Sequence, residues 1–246
     1  ADSIVAEISP TQARIGETND FTYYLRSVVN SGNRGFDSVL ISTPFASTAT
    51  AVEVDGNTVG SFAQEMVGGK LQVAFPNNRI TRSGQEVKIH FQSLLTVSGT
   101  EFRAEVGDSQ SDAFPQRVVS GDASSEAEGN TLVVSSKIED RLFAGVDFSS
   151  AVVTPNGDSI NDELKLNYIL LKATNPVNIK VIVHNLAGRE IGRLYDKRDL
   201  SGPNEVTWDG RDSAGQVVAP GLYLIRLSAD TDAGKTTEMR SIAVAY

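Results

Sequence analysis

Residues 177–184 read Val-Asn-Ile-Lys-Val-Ile-Val-His, with Val177, Ile179, Val181 and Val183 at every second position. That period puts four branched apolar side chains on one face of an extended strand. The same alternation appears in Val87–Val97, at Val87, Ile89 and Phe91, and again in Phe102–Val106 and at the start of Leu164–Leu171. No segment carries a helical stripe, and Phe62–Val67 alone suggests a short turn of helix. A chain patterned in this way must bury its apolar faces between sheets.

The punctuation divides these segments into two sets. Ile4–Ile8, Phe21–Val29, Phe36–Thr43, Ala51–Val54, Leu71–Phe75, Val87–Val97 and Phe102–Val106 read as strands. Ser9-Pro10, the loop 30–35, Pro44, the hairpin signal Asp55-Gly56 and Pro76-Asn77-Asn78 separate them. Leu132–Val134, Leu164–Leu171, Val177–His184, Ile191–Tyr195, Asn204–Trp208, Gly221–Ser228 and Thr236–Val244 form the second set. About seven short strands per set is the count expected of an immunoglobulin-like sandwich. Between the sets, Ser120–Asn130 is small, polar and acidic, a composition that reads as a linker. The expectation is an all-β chain of two tandem immunoglobulin-like β-sandwich domains: 1–119, a linker at 120–130, and 131–246.

Composition narrows the function. Apolar residues make up 40% of the 246 residues, enough for real cores. The net charge of −9 repels phosphate backbones and gives no reason to dock on an anionic membrane, so nucleic acid is not an expected partner. No apolar run reaches the roughly 20 residues of a spanning helix, so membrane insertion is not expected. Cysteine is absent, which removes disulfides, thiolate metal sites and cysteine nucleophiles. A cysteine-free chain beginning Ala1-Asp2-Ser3, a plausible signal-peptide cleavage product, leads to the expectation of export to a bacterial cell surface.

The most informative stretch runs from Val206 to Tyr223. Trp208 ends a strand, Asp209-Gly210 turns it, Asp212–Gly215 makes a second turn, and Pro220-Gly221 starts the strand carrying Tyr223. Glycines 210, 215 and 221 stand where a positive φ is expected. Trp208 fits core packing better than an exposed binding aromatic. With the preceding VIVHNLAGREIGRLYD, this pattern resembles the immunoglobulin-like domain of the bacterial flagellar hook-capping protein. The upstream Val153-Thr154-Pro155-Asn156-Gly157-Asp158-Ser159-Ile160-Asn161-Asp162-Glu163 is similar to the opening of gliding-motility-associated and type IX secretion C-terminal domains, with Ser159 where glycine is usual. The resemblance covers about residues 147–246. It implies a sandwich fold and a place in secreted bacterial proteins, with an export, sorting or anchoring role as one alternative. Residues 1–120 resemble no particular family.

Asn156, Asp158, Asn161 and Asp162 place four oxygen-donor side chains on one glycine-bearing loop. Two readings fit: a Ca²⁺ site, whose shell needs hard oxygen donors, or Asx-turns in which these side chains hold the loop's own amides. Asp209 and Asp212 fit turn chemistry.

Catalysis finds no support. The two histidines, His90 and His184, lie out of phase with the apolar faces of their strands and are expected to point outward. No nucleophile elbow, zincin motif, phosphate loop or dinucleotide fingerprint is present. Thirty-one acidic residues contain no marked pair. The reading is a non-catalytic extracellular structural or adhesive module, a candidate self-assembling subunit of a surface filament or layer. Its expected partners are proteins, including other copies joined along strand edges. Carbohydrate binding by a sandwich face is a further alternative, though aromatic residues are only 7% of the chain.

Overall fold

A computed structural model describes residues 3–28, 34–111, 115–137, 140–232 and 234–246. Most of the expected loop at 30–35 lies outside the described residues. The chain divides into two compact units, residues 1–138 and 139–246.

The first unit contains β1 (Ser3–Ser9), β2 (Glu17–Val28), β3 (Ser38–Ser42), β4 (Thr48–Val54), β5 (Asn57–Thr58), β6 (Ala63–Val67) and β7 (Lys70–Ala74). It continues with β8 (Glu86–Leu95), β9 (Thr100–Glu101), β10 (Ala104–Gly107), β11 (Gln116–Arg117), β12 (Val119–Ser120) and β13 (Val133–Val134). One sheet runs β12-β1-β2-β8-β4-β5, a second runs β11-β10-β3-β7-β6, and β13 pairs with β9. Alternation dictates which side chains meet between the sheets. Phe21, Phe91 and Phe102 form a triangle of rings with centroids 5.2–5.7 Å apart. The Tyr23 hydroxyl reaches inward to donate to the Phe102 carbonyl at 3.0 Å. Each such buried aromatic contributes on the order of 1.5–3 kcal/mol of hydrophobic stabilisation.

The second unit contains β14 (Phe143–Phe148), β15 (Val152–Val153), β16 (Leu164–Leu170), β17 (Val177–Asn185), β18 (Glu190–Asp199), β19 (Gly202–Trp208), β20 (Gly221–Thr231) and β21 (Gly234–Val244). Three strands, β14-β16-β19, face five, β15-β21-β20-β17-β18. Ile179, Val181 and Val183 of β17 point into the shared core with Leu164, Leu166, Leu170, Ile225 and Leu227. The period-two face read from the sequence is the face that packs. Both units are thus all-β immunoglobulin-like sandwiches.

Two expectations need correction. Phe62–Val67 forms no helical turn: β6 runs Ala63–Val67 and pairs with β7 in continuous register. Residues 120–130 are not a linker but belong to the first unit. The Glu7 side chain, fully buried, accepts the amides of Ala123 and Ser124 on one oxygen at 2.7 and 2.8 Å. β12 lies parallel to β1, and the Gly121 amide donates to the Ala6 carbonyl. Lys88 pairs with Glu126 at 2.7 Å, and Glu128 accepts the Thr11 amide. A polar segment docks here because its backbone donors are answered by groups more than a hundred residues earlier, which composition does not register.

Candidate functional site

The sequence motifs of the second unit come together around Trp208. This side chain is buried, and its ring N–H donates to the Arg211 carbonyl at 2.8 Å. Tyr223 meets it edge-on at 5.7 Å and donates its hydroxyl to the Ala219 carbonyl at 2.8 Å. The Tyr246 hydroxyl donates to the Val218 carbonyl. Asp209 accepts the Arg211 amide at 3.1 Å, and one oxygen of Asp212 accepts the amides of Ala214 and Gln216, both at 2.9 Å. Gly215, at φ +78°, closes that turn, while Pro220 and Gly221 lie exposed at the entry to β20. These groups are spent on holding one another. Buried as it is, Trp208 offers no platform for a sugar ring.

Gly210 joins the two separated motifs. At φ +71°, a Cβ there would stand 2.9 Å from Cγ of Pro155 and 3.4 Å from Val153. The turn after Trp208 therefore packs directly on the start of the 154–162 loop. Nothing in the spacing of the motifs announces that contact.

Within that loop the oxygen donors turn inward to the backbone. Asp162 accepts the Gly157 amide at 2.7 Å and the Ser159 amide at 2.6 Å. Asp158 accepts the Ile160 amide at 2.8 Å, and Asn156 accepts the Asp158 amide at 3.0 Å. The Thr154 amide donates to the Asn161 carbonyl at 2.8 Å. Gly157, Ser159 and Asn161 have positive φ of 84°, 66° and 53°. The value at Ser159 gives a physical reason for the glycine usual in this motif. Among the described residues no three His, Cys, Asp or Glu side chains gather to hold a metal ion.

Several polar constellations were not legible in the sequence. Arg79 bridges Asp37 at 2.9 Å and Asp108 at 2.8 Å. The hydrogen bond from Arg79 holds the Asp108 carboxyl below the usual carboxylate range. Tyr195 donates to both oxygens of Asp199, and burial, followed by that hydrogen bond and the Asp199 charge, pushes its hydroxyl up to about 12. The partners in the first case come from loops tens of residues apart, so no local motif exists. His90 and His184 are half-buried: His90 sits between Thr22 and Glu53 at 3.0 and 3.1 Å, and the Nδ1 of His184 is enclosed.

The sheet rims differ in how they are finished. β18 carries two irregularities in its pairing with β17, and the extra residues Ile191 and Leu194 pack on the core. Its outward charges are paired, Arg193 with Glu190 and Asp196. β14 is bulged between Ala144 and Asp147, and β19 has Pro203 at its second position. At β6, the Gln64 carboxamide takes the place of a strand partner for Ala49, accepting its amide at 2.7 Å and donating to its carbonyl at 2.9 Å. β21 also carries paired charges, Arg240 with Glu238 at 3.1 Å, but its described residues hold no bulge and no proline. It pairs with β20 without a shift from Gly234 to Val244, and β15 covers only Ala243 and Val244 on its other side.

Residues 160–233 match the FlgD Ig-like domain. That match lies within the second unit, and the first unit matches no family model. No curated protein sequence matches the chain. Among solved structures, it is similar to BcpA, the major pilin subunit of Bacillus cereus, at 10% identity, covering 100% of this chain and 67% of that one with a TM-score of 0.35. The full-length major pilin SpaD from Corynebacterium diphtheriae gives 11% identity, 96% and 58% coverage and a TM-score of 0.37. Dimeric latent PorU from Porphyromonas gingivalis gives 16% identity and a TM-score of 0.36, and the chain spans 20% of its length. No helix among the described residues is long and apolar enough to cross a membrane.

Proposed function

We propose that the chain is a non-catalytic structural module of a bacterial cell surface that joins neighbouring proteins along a strand edge. One observation carries this reading: β21 runs without bulge or proline from Gly234 to Val244 with its outer side paired only near its end, in a unit whose other rims are bulged or proline-bearing. Exposed, regular edges invite strand addition, and proteins that gain nothing from it disguise them. The polar residues of both motifs are engaged in turns and core contacts, which supports a mechanical role over a catalytic one. The acidic, cysteine-free composition supports an exported location.

Sedimentation velocity of the purified chain across a concentration series tests the reading. The expected result is a weight-average sedimentation coefficient that rises with concentration. A monomer at every concentration, up to about millimolar where weak edge contacts would register, would rule out the building block.

The FlgD-type match in the C-terminal half supports a second reading, a sorting or anchoring region of a longer surface protein. Transfer of a reporter to the cell surface by residues 139–246 alone would favour it. Calcium at Asn156, Asp158, Asn161 and Asp162 is a subordinate proposal, resting on four oxygen-donor side chains in one loop. An ion there would compete with the amides that Asn156, Asp158 and Asp162 now accept. A melting temperature that is the same in millimolar calcium and in chelator would dispose of it.

A further inference from the structure

The open part of β21 has a polarity that the structure defines. The amides of Ala243 and Ala245 donate to the carbonyls of Ala151 and Val153, so odd-numbered residues direct their backbone groups away from β20. Pairing with β20 shows no shift, and strand alternation carries this orientation to Lys235, Thr237, Met239 and Ser241. Beyond the end of β15, these residues direct N–H and C=O groups to the outer side of the sheet, where the Met239 carbonyl already accepts the Arg240 guanidinium at 3.1 Å, a bond that strand pairing would exchange.

We propose that this edge pairs antiparallel with the β21 edge of a second copy, with the two-fold axis passing at Met239. The inference rests on the building-block reading and specifies its contact. An antiparallel ladder must set outward-pointing residues opposite one another, which restricts the axis to a few positions along the edge. An axis at Glu238 sets Glu238 against its own copy, and an axis at Arg240 does the same for Arg240; like charges directly opposed are destabilising. An axis at Thr237 places Lys235 opposite Met239 and Glu238 opposite Thr236, with no charge pair. An axis at Met239 places Glu238 opposite Arg240 twice, once on each side.

The same register makes Met239 face Met239 and Thr237 face Ser241. Three hydrogen-bonded pairs form, with about two bonds each. Side-chain placement agrees with this. Met239 is 50% exposed and stands in register with Arg226 and the buried Ile182, on the face of the sheet opposite the core. Pairing at Met239 sets the two exposed methionine side chains beside one another and removes part of each from water. Glu238 and Arg240 already lie 3.1 Å apart within one strand, so both side chains are held at the level where the second copy's partners arrive.

The absence of native cysteine makes the register directly readable. In the full chain, Met239→Cys places two thiols on residues whose Cα atoms are about 5.5 Å apart, within disulfide reach. In Thr237→Cys, the two cysteines are offset by roughly four residues, about 14 Å along the strand, and are out of reach. Mild oxidation should therefore cross-link M239C at least about ten-fold faster than T237C. Arg240→Glu sets acidic groups opposite one another and should weaken association about ten-fold, and the double exchange E238R/R240E should restore it. Thr237→Pro removes an outward amide while leaving the β20 ladder intact, so it should abolish association without lowering the melting temperature appreciably. Equal cross-linking of M239C and T237C, or association undiminished in both R240E and T237P, would overturn this edge while leaving the building-block reading standing. A chain that stays monomeric throughout would overturn both.

Discussion

In the first unit, sheet rims and loose ends are tied down by side chains from distant parts of the chain. Glu7 holds residues 123 and 124, Gln64 stands in as a strand partner for Ala49, and Arg79 draws Asp37 and Asp108 together. The motif turns of the second unit are closed mostly by nearby residues. Asp212 closes its own turn, Asp162 closes its own loop, and Trp208 bonds three residues ahead. Its rims are guarded by bulges and charge, and one stretch of β21 is left open. The contrast teaches that motif loops closed by their own side chains can leave part of a sheet edge free, here the stretch of β21 before Ala243.

The sharpest way to break the contrast is Glu7→Ala. It strands two buried amides, and the first unit should lose about 2–4 kcal/mol. The single tryptophan, Trp208, lies in the second unit, so its fluorescence should report an unchanged transition while circular dichroism shows an earlier one. Equal shifts in both signals would show that the units do not unfold independently. Gly210→Ala is the reciprocal test. A Cβ at φ +71° and 2.9 Å from the proline ring should destabilise the second unit by about 1–3 kcal/mol, visible in Trp208 fluorescence.

Smaller changes sharpen the picture. Gln64→Ala should lower first-unit stability by about 1 kcal/mol and raise amide exchange at Ala49. Ser159→Gly relieves a positive φ in the 154–162 loop and should raise second-unit stability by about 0.5–1 kcal/mol in urea unfolding. The smallest effect is on pH dependence. Asp108 releases its proton more readily folded than unfolded, so its contribution is present above the unfolded pKa and is lost as pH falls through the lower folded value. First-unit stability should thus decline below about pH 4, and Asp108→Asn should flatten that decline.

The readable and unreadable parts of this protein separate along a physical line. Alternation at Val177–Val183 and at Val87–Phe91 determined strands, and strands with turn residues between them determined two sandwiches. The motif around Trp208 was legible because its bonds span only a few residues. The linker reading of 120–130 failed because Glu7 supplies the missing acceptor from the far end of the unit. The turn expected at Phe62–Val67 became an edge strand because pairing with β7 outweighs local preference. Gly210 against Pro155 and the open side of β21 could not be read from spacing at all. Local bonds are written in neighbouring residues, whereas contacts between distant residues, and the edge left without one, exist only once the sheets have closed.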